Sequence, residues 1–318
     1  MQISAPVNAT GEIMKPSILP LFALSLVSLD PHPSMAADVT TPVIENDATR
    51  QWNGPQVPER LYGDTFYVGV AGLSSVLTKT DRGLILLDGD LVQSVPLIEA
   101  HIRSLGFRVE DIKYILNSHT HFDHAGGIAA LQRDSGAQVL ASPSSAIALR
   151  QGFAVADDPQ FGYVKSGKFP KVHVTREIRD GEKVTLGSTT VTAHFTPGHT
   201  PGGTTWTWDS CEKQTCLHMV YADSLAPVSA PGFHFTADAK HADLTASFRK
   251  SIQTVAALPC DILVSVHPDQ SGLQEKLKLA GTHPAVNPFV DADACKNYAS
   301  EAQGELDARI TQENAERH

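Results

Sequence analysis

Short runs of β-branched and apolar residues alternate with turn residues through the first half of the chain. The runs 65–70, 75–80 and 84–87 predict strands, and Asp81-Arg82-Gly83 between the last two predicts a tight turn. The period then changes. Residues 92–105 predict a helix, 112–116 a strand, 125–133 a helix, 137–141 a strand and 144–150 a helix. The second half repeats the plan, with strands from 172 through 222, a helix over 242–257, a strand over 261–266 and helices beyond Gly272. Strands flanked by helices in two successive halves predict an α/β fold. Segment 152–171 carries Gly, Pro and aromatic residues without a period, which predicts a long loop.

Composition adds constraints. The 318 residues are 42% hydrophobic and 19% charged, enough for one large core, and no linker or low-complexity stretch divides them. A formal net charge of -10 argues against nucleic acid as a partner. Near the N-terminus, Met14-Lys15 precedes an apolar stretch over 18–29 and then Ser34-Met35-Ala36-Ala37. This pattern predicts a signal peptide cleaved after Ala36, with Met14 as the true start and an apolar core too short to span a membrane. The expected organisation is an N-terminal extension and signal peptide over 1–36, then a single periplasmic domain over 37–318. Its four cysteines, Cys211, Cys216, Cys260 and Cys295, all fall in the exported part, where an even count favours disulfides. Three connectivities are open; Cys211 with Cys216 and Cys260 with Cys295 is the simplest, and a structural zinc–cysteine site is the alternative.

The chemistry is concentrated in His119-Thr120-His121-Phe122-Asp123-His124, which directly follows the apolar run ending at Leu116. Imidazole and carboxylate are ligand types that suit zinc, and four of them so close together predict a loop wrapped around metal. Two further histidines stand just past predicted strands, His199 in Pro197-Gly198-His199-Thr200-Pro201 and His267 in Val266-His267-Pro268. Together they make five histidines and one aspartate, enough for two zinc ions with three protein ligands each. Three ligands leave a position open for water, the arrangement of a catalytic site.

These motifs resemble those of the metallo-β-lactamase superfamily over most of residues 50–295. The resemblance implies a four-layer αββα sandwich with the metals at one edge between the sheets. It implies His119, His121 and His199 as ligands of the first zinc and Asp123, His124 and His267 as ligands of the second. Tyr221-Ala222-Asp223-Ser224-Leu225 holds no Cys, which is similar to the third subclass of class B β-lactamases. The implied activity is hydrolysis of the β-lactam ring by water activated on two Zn2+ ions. Asp123 is expected to orient that water as a ligand, and Ser224 to hold a second water or the substrate carboxylate. Loop 152–171 is expected to act as a flap, with Gln160, Phe161 and Tyr163 as contacts, and Trp52 to stand at the pocket rim.

Two other readings stay open. In lactonase and glyoxalase-like thioesterase members of the superfamily an aspartate after a strand bridges the metals, and Asp223 occupies that register. A metal-loaded binding or redox protein is the other, since the superfamily includes di-iron members. The serine route to β-lactam hydrolysis finds only Ser210-Cys211-Glu212-Lys213 as an S-x-x-K match and Lys165-Ser166-Gly167 as a loose K-T-G, in the wrong order and without S-D-N. No oligomer interface is evident, and a monomer is expected.

Overall fold

In the computed structural model, which describes residues 43–163, 167–237 and 241–316, a short helix α1 (Asp47–Trp52) leads into a seven-stranded sheet. Its strands lie in chain order: β1 (Glu59–Tyr62), β2 (Thr65–Tyr67), β3 (Val76–Thr80), β4 (Gly83–Leu87), β5 (Ile112–Leu116), β6 (Gln138–Ala141) and β7 (Val174–Glu177). Pairing is antiparallel from β1 to β4 and parallel from β4 to β7. Parallel neighbours need crossover connections. These carry α2 (Val95–Ser104), α3 (Phe122–Ala125), α4 (Ile128–Ser135) and α5 (Pro143–Gln151). A five-stranded sheet follows, from β8 (Lys183–Leu186), β9 (Thr189–Phe195), β10 (Thr204–Glu212), β11 (Thr215–Ala222) and β12 (Ile262–Ser265), in spatial order β12-β11-β10-β9-β8. Helices α6 (Thr245–Ala257), α7 (Leu273–Ala280) and α8 (Ala294–Ala315) complete the chain.

The period-two geometry of strands explains the layering. Ile85 and Leu87 of β4 join Trp206, Met219, Tyr221 and Val264 in the core between the sheets, while Leu84 and Leu86 face Ile98, Ile102, Ile128 and Leu131 on the helices. Strand β4 therefore reads as a continuous apolar run because both of its faces are covered. On β11, Met219 and Tyr221 point inward, whereas Val220 and Ala222 pack on Phe248, Ile252, Tyr298 and Leu306 of α6 and α8. The result is the expected four-layer αββα sandwich. Among the described residues no helix is long and apolar enough to cross a membrane.

Several boundaries differ from expectation. The helix placed at 125–133 is two helices, α3 and α4, parted by Gly126-Gly127. A Cβ on Gly127 would stand 2.1 Å from the Gly89 carbonyl, so the glycine permits a close approach. Strand β7, grouped with the second half from the sequence, belongs to the first sheet. Helix α1 and strand β1 were not anticipated. The extension and signal peptide expected over 1–36 lie outside the described residues. All four cysteines are paired as Cys211–Cys216 and Cys260–Cys295, which leaves no thiol for a zinc–cysteine site. The first closes the β10–β11 hairpin; the second ties the segment before β12 to α8.

Candidate metal centre

The exit from β5 is clamped before the first histidine is reached. Asp88, in left-handed backbone at the end of β4 (φ 58°), accepts from the Ser118 N–H at 2.8 Å and the Asn117 side-chain amide at 3.2 Å. Tyr221 donates to its other oxygen at 2.9 Å. Burial nevertheless pushes this carboxyl up to about 7. The clamp sets the direction in which His119 leaves the strand. His119 and His121 lie on the loop, as expected, but Asp123 and His124 lie in α3 rather than on the loop. His199 stands in the connection between β9 and β10, and His267 directly follows Val266 past β12. Gly203 lets the returning chain pass over Asp223, because a Cβ there would stand 2.2 Å from Asp223 Oδ2.

Two groups of donors result, His119 with His121 and His199, and Asp123 with His124 and His267; within each, the ligand atoms lie within 4.8 Å of one another. A neutral imidazole offers one N–H and one lone pair, and the partners of four rings assign them. His119 Nδ1 meets Asp223 Oδ1 at 2.8 Å, and His121 Nε2 meets Asp158 Oδ1 at 3.2 Å. His199 Nδ1 meets the Ala226 carbonyl at 2.8 Å, and His267 Nδ1 the Gly72 carbonyl at 3.2 Å. Each N–H therefore points outward and each lone pair inward. His121 Nδ1 then faces His199 Nε2 at 3.1 Å, and His124 Nε2 faces His267 Nε2 at 3.2 Å, while His119 Nε2 is buried without a protein partner. The His121 and His199 lone pairs facing at that separation repel unless a proton or a metal cation lies between them. Zinc–nitrogen bonds of about 2.0–2.1 Å at tetrahedral angles place ligand nitrogens roughly 3.3 Å apart, so the donor set fits such a metal.

Charge favours the same use. Burial holds His119, His199 and His124 well below the usual imidazole value, keeping them neutral, with neighbouring histidines adding to the effect. Burial also pushes Asp123 upward, but His124, His267 and His121 together outweigh it and hold its carboxylate well below its ordinary value. For His121 and His267 burial pulls downward, yet Asp158 for the former and Asp123 for the latter hold them above 6.5. Metal binding displaces whatever protons those two rings carry.

The groups open on a cavity of about 410 Å³ lined by His121, Asp123, His199 and His267 together with Trp52, Gln160, Tyr163 and Ser224. The Trp52 ring lies 5.3 Å from that of His267, and Gln160 Nε2 lies 3.4 Å from His121 Nδ1. Phe161 does not reach the cavity, contrary to expectation. It begins a 3-10 turn that directs it to a surface depression with Ile147 and Phe153, where it is 36% exposed. Asp223 is fully buried behind His119 and does not line the cavity. Sequence reasoning missed Asp88, although Leu87-Asp88-Gly89-Asp90 past an apolar strand is a readable signal. It also missed Asp158 and the Gly72 and Ala226 carbonyls, which no local pattern marks, and the Ile44 and Asn46 side of the cavity wall.

Comparison with known proteins agrees with this geometry. The family model described as the metallo-beta-lactamase superfamily matches residues 68–211. The solved Rm3 metallo-beta-lactamase is 48% identical with a TM-score of 0.82, over 85% of this chain and 99% of that one. MEM-A1, a subclass B3 metallo-beta-lactamase from a soil metagenome library, is 46% identical with a TM-score of 0.78, over 83% and 99%. Among curated proteins, the N-acyl homoserine lactonase AttM of Agrobacterium fabrum is 30% identical over 109 residues, which is 32% of this chain and 37% of that protein. The chain thus spans little more than a third of that curated relative, against nearly the whole of the solved ones. With 48% identity sustained across 99% of a solved member, the chain belongs to the metallo-β-lactamase superfamily.

Proposed function

We propose that the protein is a di-zinc β-lactamase of the subclass B3 type, opening the ring of penicillins, cephalosporins or carbapenems. The observation that carries this reading is the second donor group, Asp123 with His124 and His267, which is complete without a cysteine and without Asp223. A lactonase or thioesterase with a bridging aspartate needs Asp223 between the metals, whereas its Oδ1 meets the outward nitrogen of His119. The identities to B3 enzymes support the same choice.

Bound zinc supplies Lewis acidity toward the lactam carbonyl and acidifies water to near-neutral pKa. The chain's own residues do the rest. Asp123, ionised at neutral pH by its histidine neighbours, orients the attacking water rather than acting as a free base. Ser224, on the cavity wall, offers its hydroxyl to a second water or the substrate carboxylate. Trp52 and Tyr163 supply apolar walls that exclude bulk water, and Gln160 a donor beside His121.

Residues 37–318 are read as one monomeric domain exported to the periplasm; the export part of that reading is supported by two disulfides, which persist in oxidising compartments. The test is ring opening of a chromogenic cephalosporin by zinc-loaded protein, with and without chelator, beside a homoserine lactone and a glutathione thioester. Turnover of the lactone or thioester alone overturns the proposal.

A further inference from the structure

Segment 152–163 reaches His121 twice, with Gln160 at the cavity face and with the buried carboxylate of Asp158 from behind. Asp158 is 1% exposed, and its Oδ1 stands 3.2 Å from His121 Nε2 while accepting the Gln160 N–H at 2.7 Å. The same turn is joined to a second cavity wall, because the Ala230 N–H donates to the Pro159 carbonyl at 2.9 Å. That wall also supplies the Ala226 carbonyl, which holds the Nδ1 side of His199. Two ligands of the first donor group are thus oriented from behind by segments that shape the cavity, and those segments are hydrogen-bonded to each other.

We propose that Asp158 is a positioning residue that couples the cavity-wall loop to metal binding at His121. A carboxylate behind a ligand imidazole fixes its tautomer and orientation and raises its basicity toward metal, and loss of such a partner costs 10- to 100-fold in affinity. Its remaining oxygen is buried and has no hydrogen-bond partner. An Asp that served only the local turn would need the Gln160 N–H alone and no approach to the imidazole. Coupling is reciprocal: if the loop improves metal binding, metal must stabilise the loop.

The inference rests on His121 being a metal ligand, so its test reads metal and loop separately from turnover. Zinc affinity is measured by competition with a chromophoric chelator, and hydrogen exchange is followed over residues 152–163 with and without zinc. In the wild type, zinc is expected to slow exchange in this segment. Asp158→Ala is expected to lower the affinity of one site 10- to 100-fold and to abolish the zinc-dependent protection. Asp158→Asn keeps the turn acceptor but not the charge, and is expected to fall between the two; it also serves if the alanine variant does not fold. Wild-type affinity with wild-type protection in both variants overturns the proposal. A wild type that binds no zinc overturns it together with the metal reading, whereas zinc binding with the predicted coupling but no β-lactam turnover overturns only the proposed activity.

Discussion

His119 Nδ1 lies 2.8 Å from Asp223 Oδ1, and neither side chain has any exposed surface. Burial drives the Asp223 carboxyl well above its ordinary value and His119 well below the usual imidazole value, so both partners favour their uncharged forms in the metal-free protein. A cation held at His119 Nε2 would shift Asp223 toward its carboxylate form, because that carboxylate would face a polarised N–H.

From this follows the behaviour of Asp223→Asn. The amide oxygen still accepts from His119, so both metals are expected to bind at saturating zinc, with affinity at the first site reduced about 10-fold or more. Asp123→Ala, by contrast, is expected to empty the second site. Metal analysis at high and limiting zinc separates the two. If Asp223→Asn loses one zinc equivalent even at saturation, Asp223 is a bridging ligand and the lactonase reading gains.

Removing a ligand outright should cost more than removing a partner behind it. His121→Ala and His267→Ala are each expected to lower zinc content and to reduce kcat/KM beyond the roughly 100-fold typical of outer partners. Two full zinc equivalents in both purified variants would refute the ligand assignment.

What the sequence made legible is what local spacing controls. His119 to His124 are six consecutive residues after an apolar strand, and His199 and His267 each follow a strand end, so their convergence needs only the expected sandwich. Asp158 and His121 are 37 residues apart, and nothing near either one signals the contact. Within the loop, Gln160 and Phe161 are adjacent and were equivalent candidates; the 3-10 turn beginning at Phe161 sends one inward and the other out. Strand β1 has only Leu61 and Tyr62 as apolar positions, too little pattern for a strand whose existence depends on pairing with β2. Helix α1 was within reach, since Asn46 and Thr49 form a reciprocal capping box.

Asp90 gives a pH prediction. It is fully buried beside Asp88, and burial first, then the Asp88 charge, raises its carboxyl from 3.8 to about 8 despite the Ser75 hydroxyl 2.9 Å away. Its folded pKa exceeds the unfolded one, so its contribution to stability is full below 3.8 and is lost as pH rises toward 8. His119, His124 and His199 have the opposite sign: held below 6.5, they contribute above that value and lose it as pH falls. Between pH 6.5 and 8 the carboxyl effect remains, and metal-free protein is expected to lose Tm over that interval. Asn tolerates the left-handed backbone at this position (φ 52°), so Asp90→Asn should flatten the decline. Parallel Tm curves for variant and wild type from pH 6.5 to 8 would count against this account.

The two disulfides should differ in worth. Cys260 and Cys295 are separated by 35 residues and Cys211 and Cys216 by 5. Loop-closure entropy makes the first worth about 4 kcal/mol and the second about 2 kcal/mol. Denaturant unfolding of Cys260→Ala/Cys295→Ala against Cys211→Ala/Cys216→Ala checks the order, and a larger loss from the short loop would contradict it.

Serine acylation is disfavoured by the placement of Ser210 as well as by the broken motif order. Ser210 lies in β10, 4% exposed, with its hydroxyl donating to the Tyr62 carbonyl at 2.9 Å and accepting from Thr65 Oγ1 at 3.0 Å. It does not line the metal cavity, and Lys213, its S-x-x-K partner, sits at the tip of the disulfide-closed hairpin. The Lys165-Ser166 part of the other match lies outside the described residues. No activated serine nucleophile is therefore expected, and turnover should depend on metal. A mechanism-based serine inhibitor such as clavulanate is expected to leave the rate unchanged, while a chelator abolishes it and added zinc restores it. Two results would overturn this mechanism: a covalent acyl adduct on Ser210 seen by mass spectrometry during turnover, or full activity persisting after metal analysis confirms that the chelator has stripped the protein.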